Sequence, residues 1–334
     1  MSSFQPGSAS AQTVMLNLRP LSIGEVLDRA FSIVFKNLLS FVALVIVVIG
    51  PEIVLNYLGF KDVLGVMGDP LNSTFGAPAP GAMDPTRMLA AYANGLPYFL
   101  ALFAFALVVV PLSNAAVVSG VSRAYLGLPV RFADCYRDAV SRWLPLLGLM
   151  LLWFVAACVG VISSTIAFVG LGAALSLIIK FLGIPGAVLS ALIGIAIGVA
   201  ILLLTLDLYL AAAFSFVAAV LERLGAGAAF SSGFQRVFGE GQFWRSVGTA
   251  AAIFGIVVGF WIVGAALGGA AAALTHSYGL NFLLSGLINT ITYPFIFAVV
   301  GVSYYDVRIR REGFDLHMLA AQLAAPAQPS ATGQ

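Results

Sequence analysis

Two carboxylic acids stand where the sequence otherwise excludes charge. Asp207 is the only charged residue between Lys180 and Glu222, and Glu52 is the only one between Lys36 and Lys61. An acid held inside a bilayer is costly, and it is kept where it binds a cation, relays a proton or ties helices together. For Asp207 both readings stand. It is either an ion or substrate site, or the partner of Thr205, Tyr209 or a group on a neighbouring helix. Glu52 follows Pro51 near one end of its apolar stretch, where a carboxylate reaches water at the interface.

Other chemistries lack their parts. His276 and His317 lie in separate segments with no Cys, His or carboxylate at ligand spacing, so neither metal nor cofactor is expected. There is no glycine-rich phosphate loop with its lysine and no nucleophile-elbow serine. Cys135 and Cys158 have no evident reason to pair, and both are expected reduced. A net charge of +2 gives no case for a nucleic-acid partner.

The elements that must position the two acids follow from composition. The chain is 61% hydrophobic and 9% charged, against about 25% charged in soluble domains. A helix needs roughly 20 apolar residues to cross a bilayer. The charge-free stretches provide this near 38–58, 96–121, 145–167, 188–215, 247–270 and 281–303. Runs such as Leu102–Val110 are apolar at consecutive positions, which excludes the alternation of a membrane barrel strand. The fold class expected is all-α: a polytopic membrane helix bundle of about six transmembrane helices arranged as three hairpins with amphipathic lead-in helices.

Basic residues orient the bundle. With six spans, thirteen Lys and Arg fall on one side and only Lys61, Arg87 and Lys180 on the other. The excess marks the cytoplasmic side and places both ends there. Each pair of spans follows an amphipathic segment: Ser22–Lys36 with a capping box of Ser22 and Glu25, Arg131–Trp143, and a glycine-interrupted one at Ser231–Trp244. Such segments either lie in the headgroup plane or form the first turns of the spans. Their arginines Arg29, Arg137 and Arg236 suggest an internal repeat over 19–125, 126–225 and 226–317. Flexible tails are expected at 1–18, which does not read as a signal peptide, and at 318–334. The far loop at about 59–97 is expected to be mostly irregular, from its Gly-Asp-Pro and Asp-Pro turns. Pro51, Pro111, Pro185 and Pro294 can free carbonyls inside spans, or be tolerated there.

The two ends say more. The opening Arg19-Pro20-Leu21-Ser22-Ile23-Gly24-Glu25-Val26-Leu27-Asp28-Arg29-Ala30-Phe31 resembles the start of the bacterial glycerophosphoryl diester phosphodiesterase membrane domain. The close, Tyr304-Tyr305-Asp306-Val307-Arg308-Ile309-Arg310-Arg311-Glu312-Gly313-Phe314-Asp315-Leu316, is similar to that family's ending. The resemblance covers 19–317 and implies a multi-pass protein of the bacterial inner membrane. It does not imply catalysis, because the histidine, arginine and clustered acids of the family's soluble phosphodiesterase domains have no counterpart here.

Three functions are open. The leading one is a non-catalytic scaffold or anchor that engages membrane lipids or a partner protein through Arg29, Arg137, Arg236, Arg310 and Arg311. The next is a transporter or lipid translocator with a polar site around Asp207. The last is a membrane-embedded lipid-modifying enzyme.

Overall fold

Capping chemistry decides where the chain begins to wind. In the computed structural model, which describes residues 20–67, 84–239, 241–275 and 278–312, the Glu25 N–H donates to Ser22 Oγ while Ser22 N–H donates to the Glu25 carboxylate at 2.8 Å. This starts α1 (Ile23–Lys36). Asn37 ends it by donating its side-chain amide to the Ile33 carbonyl at 3.0 Å, and α2 (Leu38–Met67) starts afresh. Asp84 accepts from Thr86 N–H with Pro85 in the first helical position, opening α3 (Pro85–Tyr125). There follow α4 (Phe132–Val140), α5 (Trp143–Leu221), α6 (Ala226–Phe238), α7 (Phe243–Thr275) and α8 (Tyr278–Glu312). No strand occurs among the described residues. The tails at 1–18 and 318–334, the segment 68–83, and His276 and His317 lie outside them.

The chain is an all-α membrane helix bundle, but its spans are not six separate helices. Among the described residues five helices are long and apolar enough to cross a bilayer, and one of these is Trp143–Leu221. The third and fourth expected spans are both parts of this helix, which is broken at Gly183 (φ 60°, ψ −133°). Only a residue without a Cβ adopts that conformation readily. The break turns the chain back on itself. Ser190 Oγ donates to the Leu175 carbonyl at 3.3 Å, whereas fifteen residues of straight helix would separate them by roughly 22 Å. The expected link at 168–187 is helical because it is as apolar as the spans and holds no breaker before Gly183. The far loop likewise narrows, since helix continues to Met67 and resumes at Pro85.

The lead-in segments are separate helices, and they pack in a ring. α4 lies on α3, the closing span of the first hairpin, and α6 lies on α5. α1 has no earlier hairpin and packs instead on α8, the closing span of the last. The glycines that seemed to weaken the third lead-in make its contact. A Cβ on Gly233 would sit 2.3 Å from the Ala211 carbonyl oxygen, so α6 approaches α5 more closely than any other residue permits. The helix also starts five residues earlier than its apolar stripe suggested, at Ala226.

The core is carried by the closing spans near the arginine-rich end: Ala115–Val118 on α3, Phe214–Val220 on α5 and Phe295–Val300 on α8. The distal part of α5 differs sharply. From Leu151 to Leu206 only Gly186 and Ser190 are buried.

Candidate functional site

Glu52 and Asn56 lie one turn apart on α2. Facing them on α8 are Ser285, Asn289 and Tyr293, again at four-residue intervals. With Ile49, Ile53 and Gly286 they line a cavity of about 350 Å³ that is open on one side, where Asn289 is exposed. The helices touch at Gly286, where a Cβ would overlap the Ile53 side chain. Prolines adjoin the site on both sides: Pro51 precedes Glu52 and Pro294 follows Tyr293. A proline has no N–H for the carbonyl one turn back, so regular helix bonding fails beside both residues. The cavity lies roughly 20–30 Å along α8 from Asp306, in the half of the bundle away from the arginines.

Its polar groups are only partly occupied. Asn56 donates one amide hydrogen to the Glu52 carbonyl at 3.0 Å. Ser285 Oγ donates to Asn281 Oδ1 at 3.3 Å. The Glu52 carboxylate is half-buried, and no basic residue lines the cavity.

Asp207 lies elsewhere. It is 0% exposed, and neither carboxylate oxygen has a hydrogen-bond partner. Thr205 donates to its own helix at Ile201 rather than to Asp207. The acid is fully buried and does not line the cavity between α2 and α8.

The arginine-rich end is a layer of ion pairs that joins the ring. Asp306, 1% exposed, accepts from Arg245 at 2.6 Å, from Arg310 at 3.0 Å and from the Leu21 N–H at 2.6 Å. Arg245 and Arg310 both also donate to the Leu21 carbonyl. The residue ahead of α1 is thus clamped between α7 and α8. At the next junction Arg236, 8% exposed, pairs with Glu222 at 2.8 Å and donates to the Tyr304 hydroxyl, while Arg308 meets Glu222 at 3.3 Å. At the third, Arg123 of α3 reaches Asp134 and Asp138 of α4, and Ser119 donates to Asp138 at 2.8 Å. Burial pushes the Cys135 thiol in α4 above its ordinary value, so it makes a poor nucleophile.

The five arginines named from sequence therefore differ in what they can reach. Arg236 and Arg310 are committed to acids within the chain. Arg29 donates to the Tyr125 hydroxyl at 3.2 Å, and Tyr125 stacks on Tyr305. Arg311 donates to the Gln235 carbonyl at 2.7 Å. Arg137 holds Asp134 at 3.1 Å with its own side chain 76% exposed, against 10% for Arg236 and 31% for Arg310.

Sequence reasoning singled out Glu52 but missed its facing residues. Their signal was present: Asn281, Ser285, Asn289 and Tyr293 recur every fourth position, a polar line along one side of an apolar helix. No cluster of three His, Cys, Asp or Glu able to hold a metal occurs among the described residues. Compared with family models, curated proteins and solved structures, the chain matches none of them.

Proposed function

We propose that this chain is a non-catalytic integral-membrane module that holds an amphiphilic ligand in the cavity between its first and last hairpins. The observation that carries the reading is the cavity itself, about 350 Å³ with an unpaired carboxylate in its wall. That volume is within the usual range for small-molecule sites, roughly 300–1,000 Å³. Its place beyond the middle of the spans brings the headgroup of a lipid in the far leaflet within reach. The module sits in the bacterial inner membrane with both ends cytoplasmic, as the charge bias and the resemblance of both chain ends to a phosphodiesterase membrane domain support.

The arginine layer supports a scaffold more than a catalyst. Its acids and bases neutralise one another, and its links run between successive hairpins. A second reading, transport, is favoured by the helix-interior prolines beside Glu52 and Tyr293, since interrupted helices can shape a path at membrane depth. Asp207, fully buried and absent from the cavity wall, does not mark that path; Glu52 does.

The test is native mass spectrometry of the full chain extracted in mild detergent. The wild type should retain a discrete amphiphile, and Ser285→Phe, which fills the cavity, should lose it while melting within a few degrees of the wild type. If Ser285→Phe fails to fold, Asn289→Leu at the same wall serves in its place. A wild type that carries no bound amphiphile, or a folded cavity variant that keeps the same one, overturns the proposal.

A further inference from the structure

We infer that the cavity selects a primary ammonium group, carried by a lipid headgroup or by a free amine. The inference rests on the cavity being a ligand site, as proposed above, and adds the chemical class it takes.

The argument is a count of donors against acceptors. Glu52, if ionised, only accepts, through two oxygens. Asn56 has used one of its two amide hydrogens on the Glu52 carbonyl, which leaves one to donate and its Oδ1 to accept. Ser285 has given its only hydrogen to Asn281, so its oxygen too can only accept. Asn289 and the Tyr293 hydroxyl each offer both roles. No lysine, arginine or histidine lines the wall. Along α2 the nearest basic residue beyond Glu52 is Lys61, more than two turns further on, and α8 bears no charge between Tyr278 and Asp306. A wall that mainly accepts and carries one negative charge calls for a cation with several N–H donors.

Other cations fit less well. A bare metal ion needs a tight shell of oxygens, and this cavity has room for many atoms beyond that shell. A quaternary ammonium has no N–H to give, and it is held by cages of aromatic faces; Tyr293 is the only aromatic side chain lining this cavity. A phosphate headgroup without an amine would bring a second negative charge to the Glu52 carboxylate with no cation to offset it. A primary ammonium offers three donors and a full charge to the Glu52 carboxylate, which makes the strongest kind of hydrogen bond available here.

The experiment places the full chain in nanodiscs of equal parts phosphatidylethanolamine, phosphatidylcholine and phosphatidylglycerol, then reads the lipid retained on release by native mass spectrometry. Enrichment of phosphatidylethanolamine over phosphatidylcholine is expected, and Glu52→Gln should lower it by about tenfold, the loss of one charged hydrogen bond. Asp207→Asn should leave it unchanged. A parallel arm adds free ethanolamine: phosphatidylethanolamine that stays bound assigns the site to the lipid headgroup, and its displacement, or a retained ethanolamine adduct, assigns it to free amines. Retention of phosphatidylglycerol or phosphatidylcholine in equal or greater amount overturns the amine assignment while leaving the ligand site standing. Amine selectivity that survives in Glu52→Gln overturns it as well. A wild type that retains neither lipid nor amine overturns both.

Discussion

Asp306 and Asp207 are the same residue type at almost the same burial, 1% and 0% exposed, in opposite company. Asp306 gathers two guanidinium groups and a backbone N–H. Asp207 has no partner for either oxygen. A buried acid is therefore not one kind of feature. Where every lone pair finds a donor, it ties distant pieces of chain together, here Leu21 to α7 and α8. Where none does, it is a cost borne by the rest of the bundle, and the desolvation of the group is not repaid. The same division separates the two ends of the molecule, with carboxylates paired at the arginine-rich end and left alone deeper in the spans.

The contrast is sharpest under substitution. Asp306→Ala removes the acid and leaves Arg245, Arg310 and the Leu21 N–H without it. Breaking a buried pair from one side costs about 3–5 kcal/mol. The side chains of Arg245 and Arg310 keep 24% and 31% exposure, so water relieves part of the loss and the lower end is expected. Thermal unfolding in one detergent should show the largest fall of any single change considered, and a shift of only a degree or two would dissolve the distinction. Arg236→Met should cost somewhat less, about 2–3 kcal/mol, because Glu222 keeps Arg308 and Tyr304 when Arg236 is gone.

Asp207→Leu should move the other way. It replaces an unpartnered acid with an apolar side chain of similar size, and a gain of about 1–2 kcal/mol is expected. A clear loss of stability would mean that Asp207 has a partner in the membrane that ties the bundle, and the two aspartates would then be alike.

How much of this could be read in advance follows from range along the chain. The Ser22–Glu25 box spans four residues, and it was legible and correct in detail. The apolar spans and the arginine bias are properties of composition, and they too could be read directly. The Asp306 lock joins residues 285 positions apart, and no local pattern announces such a pairing. Arg236 illustrates the same limit. Its place on an amphipathic segment suggested a lipid phosphate, while its burial against Glu222 and Tyr304 depends on how α6 seats on α5 and α8. Gly183 was hidden for another reason. One residue in a left-handed conformation turns a long apolar run, and the local hint, Pro185 two residues on, reads equally as a proline tolerated inside a span. The cavity was legible by half. Glu52 stood out by its charge, and the line of Asn289, Ser285 and Tyr293 did not, because uncharged polar residues barely lower the hydropathy of a span.

The smallest expected effect on stability separates a working acid from a structural one. Glu52 is half-buried beside a cavity and makes no ion pair or side-chain hydrogen bond among the described residues. Changing it to Gln keeps the shape and removes only the charge, so the fold loses no contact it was using. Stability should stay within about 0.5 kcal/mol of the wild type, as for a substitution away from any structural feature. Asp306→Asn makes the matched control, since it removes the same charge at the lock and should melt several degrees lower. A Glu52→Gln protein that unfolds as early as Asp306→Asn would show that the cavity wall holds the first and last hairpins together. A normal melt combined with lost ligand retention would place function and stability on separate acids of the same bundle.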